Sequence, residues 1–256
     1  MCTIKEEFVS KPNLPQGRVT LAAVSGKYPE IIAALEKRGI RCITTEPDLR
    51  LPQPVSDHAD MQMLHLNDNR TFVLKGEQAL KTQLAEEGFL VAETANAPIA
   101  TYPGDVLCNA LRIGDKMMAC VGGVDAGIYS IAENMGLRTI HVNQGYTKCS
   151  TAVIDENTII TMDGGIGAAG RFLGLDIMII SERHIQLPGY EYGFIGGCCG
   201  LIDKNVLAFT GRLDSLGFEI PIRRFCEEHN VEIVELTNLP MIDIGGILPL
   251  KVAVEE

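Results

Sequence analysis

Asn134-Met135-Gly136-Leu137 closes one helical stretch and opens an apolar one. The same phrase stands at Lys37-Arg38-Gly39-Ile40, Glu86-Glu87-Gly88-Phe89, Phe172-Leu173-Gly174-Leu175 and Glu228-His229-Asn230-Val231. In each, a helix end is followed by Gly, or once by Asn, and then by an apolar residue. The residue just past a last helical turn takes left-handed backbone angles, which penalise a Cβ, so Gly and less often Asn stop helices there. Each phrase therefore marks a junction from helix to strand. Self-similarity at a period of roughly 20–50 residues is the signature of a repeat architecture. The spacing predicts five near-equal units.

The third unit shows the pattern in full. A strand is expected over 106–113, a tight turn at Gly114-Asp115-Lys116, an antiparallel strand over 117–121, a helix over 125–135 and a returning strand over 139–142. The second, fourth and fifth units repeat this order over 60–92, 149–180 and 192–236, with turns at Asn67-Asp68-Asn69, Asp155-Glu156-Asn157 and Asp203-Lys204-Asn205. The first unit has a strand over 18–24, a helix over 29–38 and a strand over 41–44, but no leading strand. A spare strand over 243–254 has no helix after it. Pairing that strand with the one at 18–24 would complete the first unit and remove exposed sheet edges. The chain then reads as a single domain over 1–256, with units at about 18–56, 57–104, 105–148, 149–187 and 188–240, and with 241–254 completing the first.

One motif competes with this reading. Gly165-Ile166-Gly167-Ala168-Ala169-Gly170 is a literal GxGxxG, and Glu182 stands where a dinucleotide site places its ribose-binding acid. Only 171–173 separate Gly170 from Gly174, however, whereas a Rossmann unit of about 30 residues carries a full crossover helix. The glycines are expected to tighten the turn into a stunted helix near 167–173.

Composition narrows the function. Of 256 residues, 46% are hydrophobic and 21% charged, an ordinary globular balance. No stretch approaches the roughly 18 apolar residues of a membrane helix. The start, Met1-Cys2-Thr3-Ile4-Lys5-Glu6-Glu7, lacks the apolar core of a secretory signal, so a cytoplasmic location is expected. The net charge of −11 argues against nucleic acid as a partner and suits a small cation. The cysteines, Cys2, Cys42, Cys108, Cys120, Cys149, Cys198, Cys199 and Cys226, form no CxxC pair and meet no His at zinc-finger spacing. Reduced thiols, no structural metal and no cofactor are expected.

Five strand-strand-helix-strand units closed in a ring resemble the pentein fold, the five-bladed α/β propeller of the guanidine-modifying enzymes. Arginine deiminases, dimethylargininases and amidinotransferases belong to that superfamily. Three segments, Ser56-Asp57-His58-Ala59-Asp60-Met61-Gln62, Gln144-Gly145-Tyr146-Thr147-Lys148-Cys149-Ser150 and Leu187-Pro188-Gly189-Tyr190-Glu191-Tyr192-Gly193-Phe194-Ile195-Gly196-Gly197, look like an uncharacterised bacterial family of this fold.

In a ring of such units the first strand of each lies nearest the axis. The residues opening those strands, Asp60, Asp105, Cys149, Tyr192 and Asp243, should then face a shared cavity. The resemblance implies chemistry for them. Carboxylates grip a planar guanidinium through charge-assisted hydrogen bonds, a thiolate attacks its carbon, and a His shuttles protons to the leaving amine. Cys149 is the candidate nucleophile, His58 and His184 the candidate acid–bases, and Asp60, Asp105, Asp243 and Tyr192 the candidate substrate contacts. The superfamily pattern puts its Cys in the final unit, after the His; here Ile242-Asp243-Ile244-Gly245-Gly246-Ile247-Leu248-Pro249-Leu250 contains none. Each candidate also has a structural reading: a buried thiol for Cys149, caps for the Asp residues, backbone partners for the His residues. Cys198-Cys199 reads as small residues in a glycine-rich strand that another backbone approaches closely. Two functions follow: a Cys-dependent hydrolase or amidinotransferase acting on a guanidine or amidine, or a non-catalytic module that binds a small molecule or a partner protein.

Overall fold

The residues past all five helix ends adopt left-handed angles: Gly39, Gly88, Gly136 and Gly174 have φ of 80, 88, 73 and 82°, and Asn230 has 55°. The next N–H reaches back to a carbonyl one turn inside the helix. Ile40 bonds Leu35 at 3.1 Å, Phe89 bonds Leu84 at 3.0 Å, Leu137 bonds Ala132 at 3.1 Å, Leu175 bonds Gly170 at 2.9 Å and Val231 bonds Cys226 at 2.9 Å. This is the Schellman closure, which satisfies carbonyls that a helix end would otherwise leave open. The accepting residue is also the second of a buried pair four residues apart on each helix, as in Ile31 with Leu35 and Leu80 with Leu84. The same positions therefore stop the helix and seat it on its sheet.

This computed structural model describes residues 5–254. Met1–Ile4, with Cys2, and the last two residues lie outside the described residues. The first unit holds β1 (Glu6–Phe8), β2 (Val19–Ser25), α1 (Pro29–Glu36) and β3 (Arg41–Thr45). The second holds α2 (Ala59–Gln62), β4 (Met63–Asn67), β5 (Arg70–Val73), α3 (Gln78–Glu86) and β6 (Leu90–Glu93). The third holds β7 (Leu111–Ile113), β8 (Lys116–Ala119), α4 (Ala126–Asn134) and β9 (Arg138–His141). The fourth holds β10 (Thr151–Asp155), β11 (Thr158–Thr161), α5 (Gly164–Phe172) and β12 (Asp176–Ile179). The fifth holds β13 (Cys199–Asp203), β14 (Val206–Phe209), α6 (Glu219–Glu228) and β15 (Glu232–Glu235), and β16 (Leu248–Ala253) follows.

Four sheets have three strands and one has four. In the second to fifth units an antiparallel hairpin is followed by a helical crossover to a parallel strand, as β10, β11 and β12 show. The register recurs. Met63 pairs with Val73, Thr151 with Thr161 and Cys199 with Phe209, and each of these hairpins carries one irregularity just before its turn. β16 pairs antiparallel with β2, Leu248 opposite Ala23, so the C-terminal strand does join the N-terminal unit.

Three expectations need correction. β16 is flanked on its other side by β1, Glu6 opposite Ala253, so a short strand does precede residue 18. The fourth helix is not stunted: α5 has nine residues, as α3 and α4 do. Its glycines serve packing, since a Cβ on Gly170 would lie 2.4 Å from Ile177 Cδ1, on the strand beneath. Finally, Asp60, Asp105, Cys149, Tyr192 and Asp243 do not open strands; the strands begin later, at Met63, Leu111, Thr151, Cys199 and Leu248. The lead-in segments curl instead, into α2, into a 3-10 turn at Ile195–Cys198, and into a turn where Ser150 N–H bonds the Tyr146 carbonyl at 3.0 Å. Local bonds satisfy the backbone there, which frees consecutive side chains from strict alternation. Among the described residues no helix is long and apolar enough to cross a membrane.

Candidate functional site

The lead-in turns of several units converge on one buried group. The Cys149 thiol donates to Asp60 Oδ2 at 3.0 Å. His58, Asp60 and Cys149 each place a ligand-type atom within 4.8 Å of the others, and all three are buried. His58 Nδ1 lies 3.6 Å from Asp243 Oδ1. Asp243 is held by backbone, its carboxylate accepting from Phe194 N–H at 2.8 Å and from Gly245 N–H at 3.0 Å.

Glycine makes this approach possible. A Cβ on Gly197 would lie 1.9 Å from Asp243 Oδ1, and one on Gly193 would lie 2.5 Å from Asp243 Cβ. Gly245, at φ 78°, brings the C-terminal lead-in against His58, where a Cβ would come within 2.4 Å of His58 Cβ. The glycine-rich segment before β13 is thus the cradle of a carboxylate.

A cleft of about 360 Å³ opens onto this group. Tyr146, Tyr190, Tyr192 and Phe194 wall it, and the buried Cys149 and Asp243 stand at its base. Its size and apolar walls suit a small molecule. Asp60 sits behind Cys149 rather than on the cleft. Asp105 is buried beside the wall, accepting the Tyr146 hydroxyl at 2.5 Å. Tyr192 carries the Arg183 guanidinium over its ring, 4.1 Å from the centroid.

His184 is placed apart. Its Nδ1 meets Glu182 Oε1 at 2.7 Å and its side chain is 67% exposed. Glu182 also accepts the Arg183 and His184 N–H groups, each at 2.8 Å, so the pair forms its own loop anchor.

Two buried residues complete the group without having been singled out beforehand. Asn109 Nδ2 donates to Cys149 Sγ at 3.0 Å, and its Oδ1 accepts from Lys148 N–H at 2.8 Å and Cys149 N–H at 3.3 Å. The signal was an Asn inside the apolar run expected to be a strand over 106–113, a setting where Asn is depleted. Lys148, adjacent to Cys149, is buried and donates its ammonium to the Gly196 carbonyl at 3.0 Å.

Burial and charge set the protonation of this group. Burial pushes the Asp60 carboxyl up to about 6, against the pull of Lys148 and His58. The Cys149 thiol is pushed far above its ordinary range by burial first and then by Asp60 and Asp243, while the Asn109 amide acts to lower it. Burial also raises Asp105, which the Tyr146 hydroxyl partly offsets.

Residues 23–248 match the model of a family of unknown function (DUF6873). Among curated proteins none matches the chain in sequence. Solved structures do match in fold. An inosamine-phosphate amidinotransferase from Streptomyces griseus, 10% identical, superposes with a TM-score of 0.60 over 97% of both chains. An amidinotransferase of the saxitoxin pathway from Microseira wollei, 9% identical, gives 0.58 over 97% of both. DDAH from Pseudomonas aeruginosa, complexed with citrulline and 12% identical, gives 0.53 over 86% of this chain and 92% of that one. The five-sheet architecture is the pentein fold, which these amidinotransferases and DDAH share.

Proposed function

This chain belongs to the family of unknown function DUF6873, and from its site we propose that it is a Cys-dependent hydrolase or amidinotransferase acting on a small guanidine or amidine compound. One observation carries the reading. The Cys149 thiol is hydrogen-bonded to Asp60 at the base of an aromatic-walled cleft that also bears Asp243.

A guanidinium entering the cleft brings positive charge to a thiol ringed by carboxylates. That charge offsets the two carboxylates, Asp60 and Asp243, which raise Cys149 above the level set by burial. The thiol proton passes to Asp60 Oδ2, and the thiolate attacks the guanidino carbon as a C–S bond forms. The C–N bond to the leaving amine breaks, and the proton reaches that amine by way of His58, which lies within 4.8 Å of both partners. In a hydrolase, water then adds to the S-amidino carbon and the C–S bond breaks, returning the thiol. In a transferase, an acceptor amine takes the place of water. Asp243 steers the cation, and Tyr146, Tyr192 and Phe194 supply ring faces that favour it.

A second reading has an observation of its own. Cys149 is only 2% exposed, which suits a module that binds a cation without attacking it. Labelling separates the two. A haloacetamidine, which carries the cation, is expected to alkylate Cys149 at least tenfold faster than the neutral haloacetamide, and a panel of guanidines should be turned over by the wild type but not by Cys149→Ala. Binding of guanidines with equal labelling rates and no turnover would leave only the binding module.

A further inference from the structure

The inner group has a property that guanidine chemistry does not require. His58 is fully buried, and among the described residues neither of its ring nitrogens has a hydrogen-bond partner; Asp60 Oδ1 has none either. Buried polar atoms without partners are costly and uncommon in folded proteins. These unpartnered atoms are not scattered. They belong to residues whose imidazole, carboxylate and thiol atoms lie within 4.8 Å of one another.

We propose that His58, Asp60 and Cys149 form a binding site for a thiolate-seeking divalent cation, with Zn2+ the best fit. Nitrogen, carboxylate oxygen and sulfur are the ligand types zinc prefers, at about 2.0–2.3 Å from the metal; magnesium and calcium favour all-oxygen sets. Ligands at such distances around one tetrahedral centre stand roughly 3.5 Å apart, so Cys149 and Asp60, now 3.0 Å apart, need open only slightly while His58, within 4.8 Å of both, closes in. Charge also balances. A carboxylate and a thiolate neutralise a divalent cation, which lets the assembly stay buried. Binding replaces the S–H bond by an S–metal bond and releases the thiol proton to solvent. Asp243, 3.6 Å from His58 Nδ1, stands where a carboxylate can orient a ligating ring. Cys149 borders the cleft, so a metal has a route in from solvent. His58 and Asp60 come from the lead-in of the second unit and Cys149 from that of the fourth, 89 residues further on, which is why no short sequence motif announces the set.

The metal site uses residues of the proposed reaction but does not depend on turnover. Chelator-treated protein should be titrated with Co2+ while its absorption is followed. A stoichiometric sulfur-to-cobalt charge-transfer band is expected in the near ultraviolet, together with intense tetrahedral bands in the visible and their loss when Zn2+ is added. Cys149→Ser should abolish the charge-transfer band. His58→Gln should weaken Co2+ binding by at least the roughly 10–100-fold that losing even an outer-shell partner costs, and Cys226→Ser should leave both unchanged. Should a site variant fail to fold by circular dichroism, zinc-edge X-ray absorption of the wild type decides instead: a single sulfur among nitrogen and oxygen ligands supports the site. No stoichiometric band, a band that persists in Cys149→Ser, or a zinc shell without sulfur overturns it. Guanidine turnover, measured on the metal-free protein, tests the catalytic reading separately.

Discussion

The Cys149 thiol and the Asp60 carboxylate are 3.0 Å apart, sulfur to Oδ2, inside a group to which solvent has almost no access. The contact raises the thiol in two ways: the Asp60 charge repels a thiolate, and the Asp60 oxygen accepts the S–H. Asp60→Asn removes the charge and weakens the acceptor. The Cys149 pKa should fall, and alkylation of metal-free protein by a neutral haloacetamide near pH 7 should accelerate. Guanidine turnover should nonetheless fall in the same variant, because an amide in place of the Asp60 carboxylate cannot take up the thiol proton. A variant with unchanged alkylation would show that Asp60 does not govern the thiol.

Asp60 and His65 shift in opposite directions over one pH window. Burial lowers His65 from 6.5 to about 4, and burial raises Asp60 from 3.8 to about 6. As pH falls through this window, the unfolded His65 takes up a proton before the folded one does, so its contribution to stability is withdrawn. Asp60 does the reverse. The folded carboxyl is protonated first, so stability is gained as pH falls and lost as pH rises toward 6. The wild type should be nearly flat between about pH 4.5 and 6 in urea titrations of metal-free protein. Asp60→Asn should lose about 2 kcal/mol on going down that range, and His65→Gln should gain a similar amount. Parallel profiles for all three proteins would refute the opposition.

How far the sequence leads depends on which physical constraint a residue answers to. Gly39, Gly88, Gly136, Gly174 and Asn230 answer to backbone sterics, a local constraint, and they located the helix ends and the pairing of β16 with β2. Asp60, Cys149 and Asp243 were legible as members of one group only through the repeat, which put equivalent positions side by side. Their local conformation was not, because the curl of α2 and of the turn before β10 comes from tertiary contacts such as Asp60 N–H with the Gly245 carbonyl at 3.2 Å. Asn109 gave a weak sign, a polar residue in an apolar run. His184 has the right chemistry, but its orientation is set by Glu182, its neighbour two residues back, and no spacing rule reveals that. β1 was hidden by its length of three residues.

The two classes of glycine should respond differently to alanine. At Gly136 and Gly174 an added Cβ meets nothing within 4 Å, so Gly→Ala costs only the left-handed backbone term, about 1–2 kcal/mol. The site and any turnover should be untouched. At Gly197 the Cβ would sit 1.9 Å from Asp243 Oδ1, so Asp243 must leave its place against Phe194 N–H. Gly197→Ala should therefore abolish guanidine binding and selective labelling by a haloacetamidine. Thermal unfolding alongside the labelling assay checks both halves. Equal effects on binding at Gly136 and Gly197 would contradict the cradle.

Asn109 touches neither the cleft nor, in the proposed chemistry, the substrate, yet it bonds the backbone of Lys148 and Cys149 and the Cys149 sulfur. It is a positioning residue, and its side chain lowers the Cys149 thiol where Asp60 and Asp243 raise it. Asn109→Ala leaves two buried N–H groups without their acceptor, a loss of about 1–3 kcal/mol each where no water replaces it. The variant should unfold at lower urea, its thiol should titrate higher still, and the pH profile of Cys149 alkylation should move alkaline. Asn109→Asp keeps the acceptor oxygen for both N–H groups but trades the amide donor for a negative charge. It should recover part of the stability while shifting the alkylation profile further alkaline than Asn109→Ala does. A purely structural Asn109 would change stability in both variants and leave the alkylation profile where it is in the wild type.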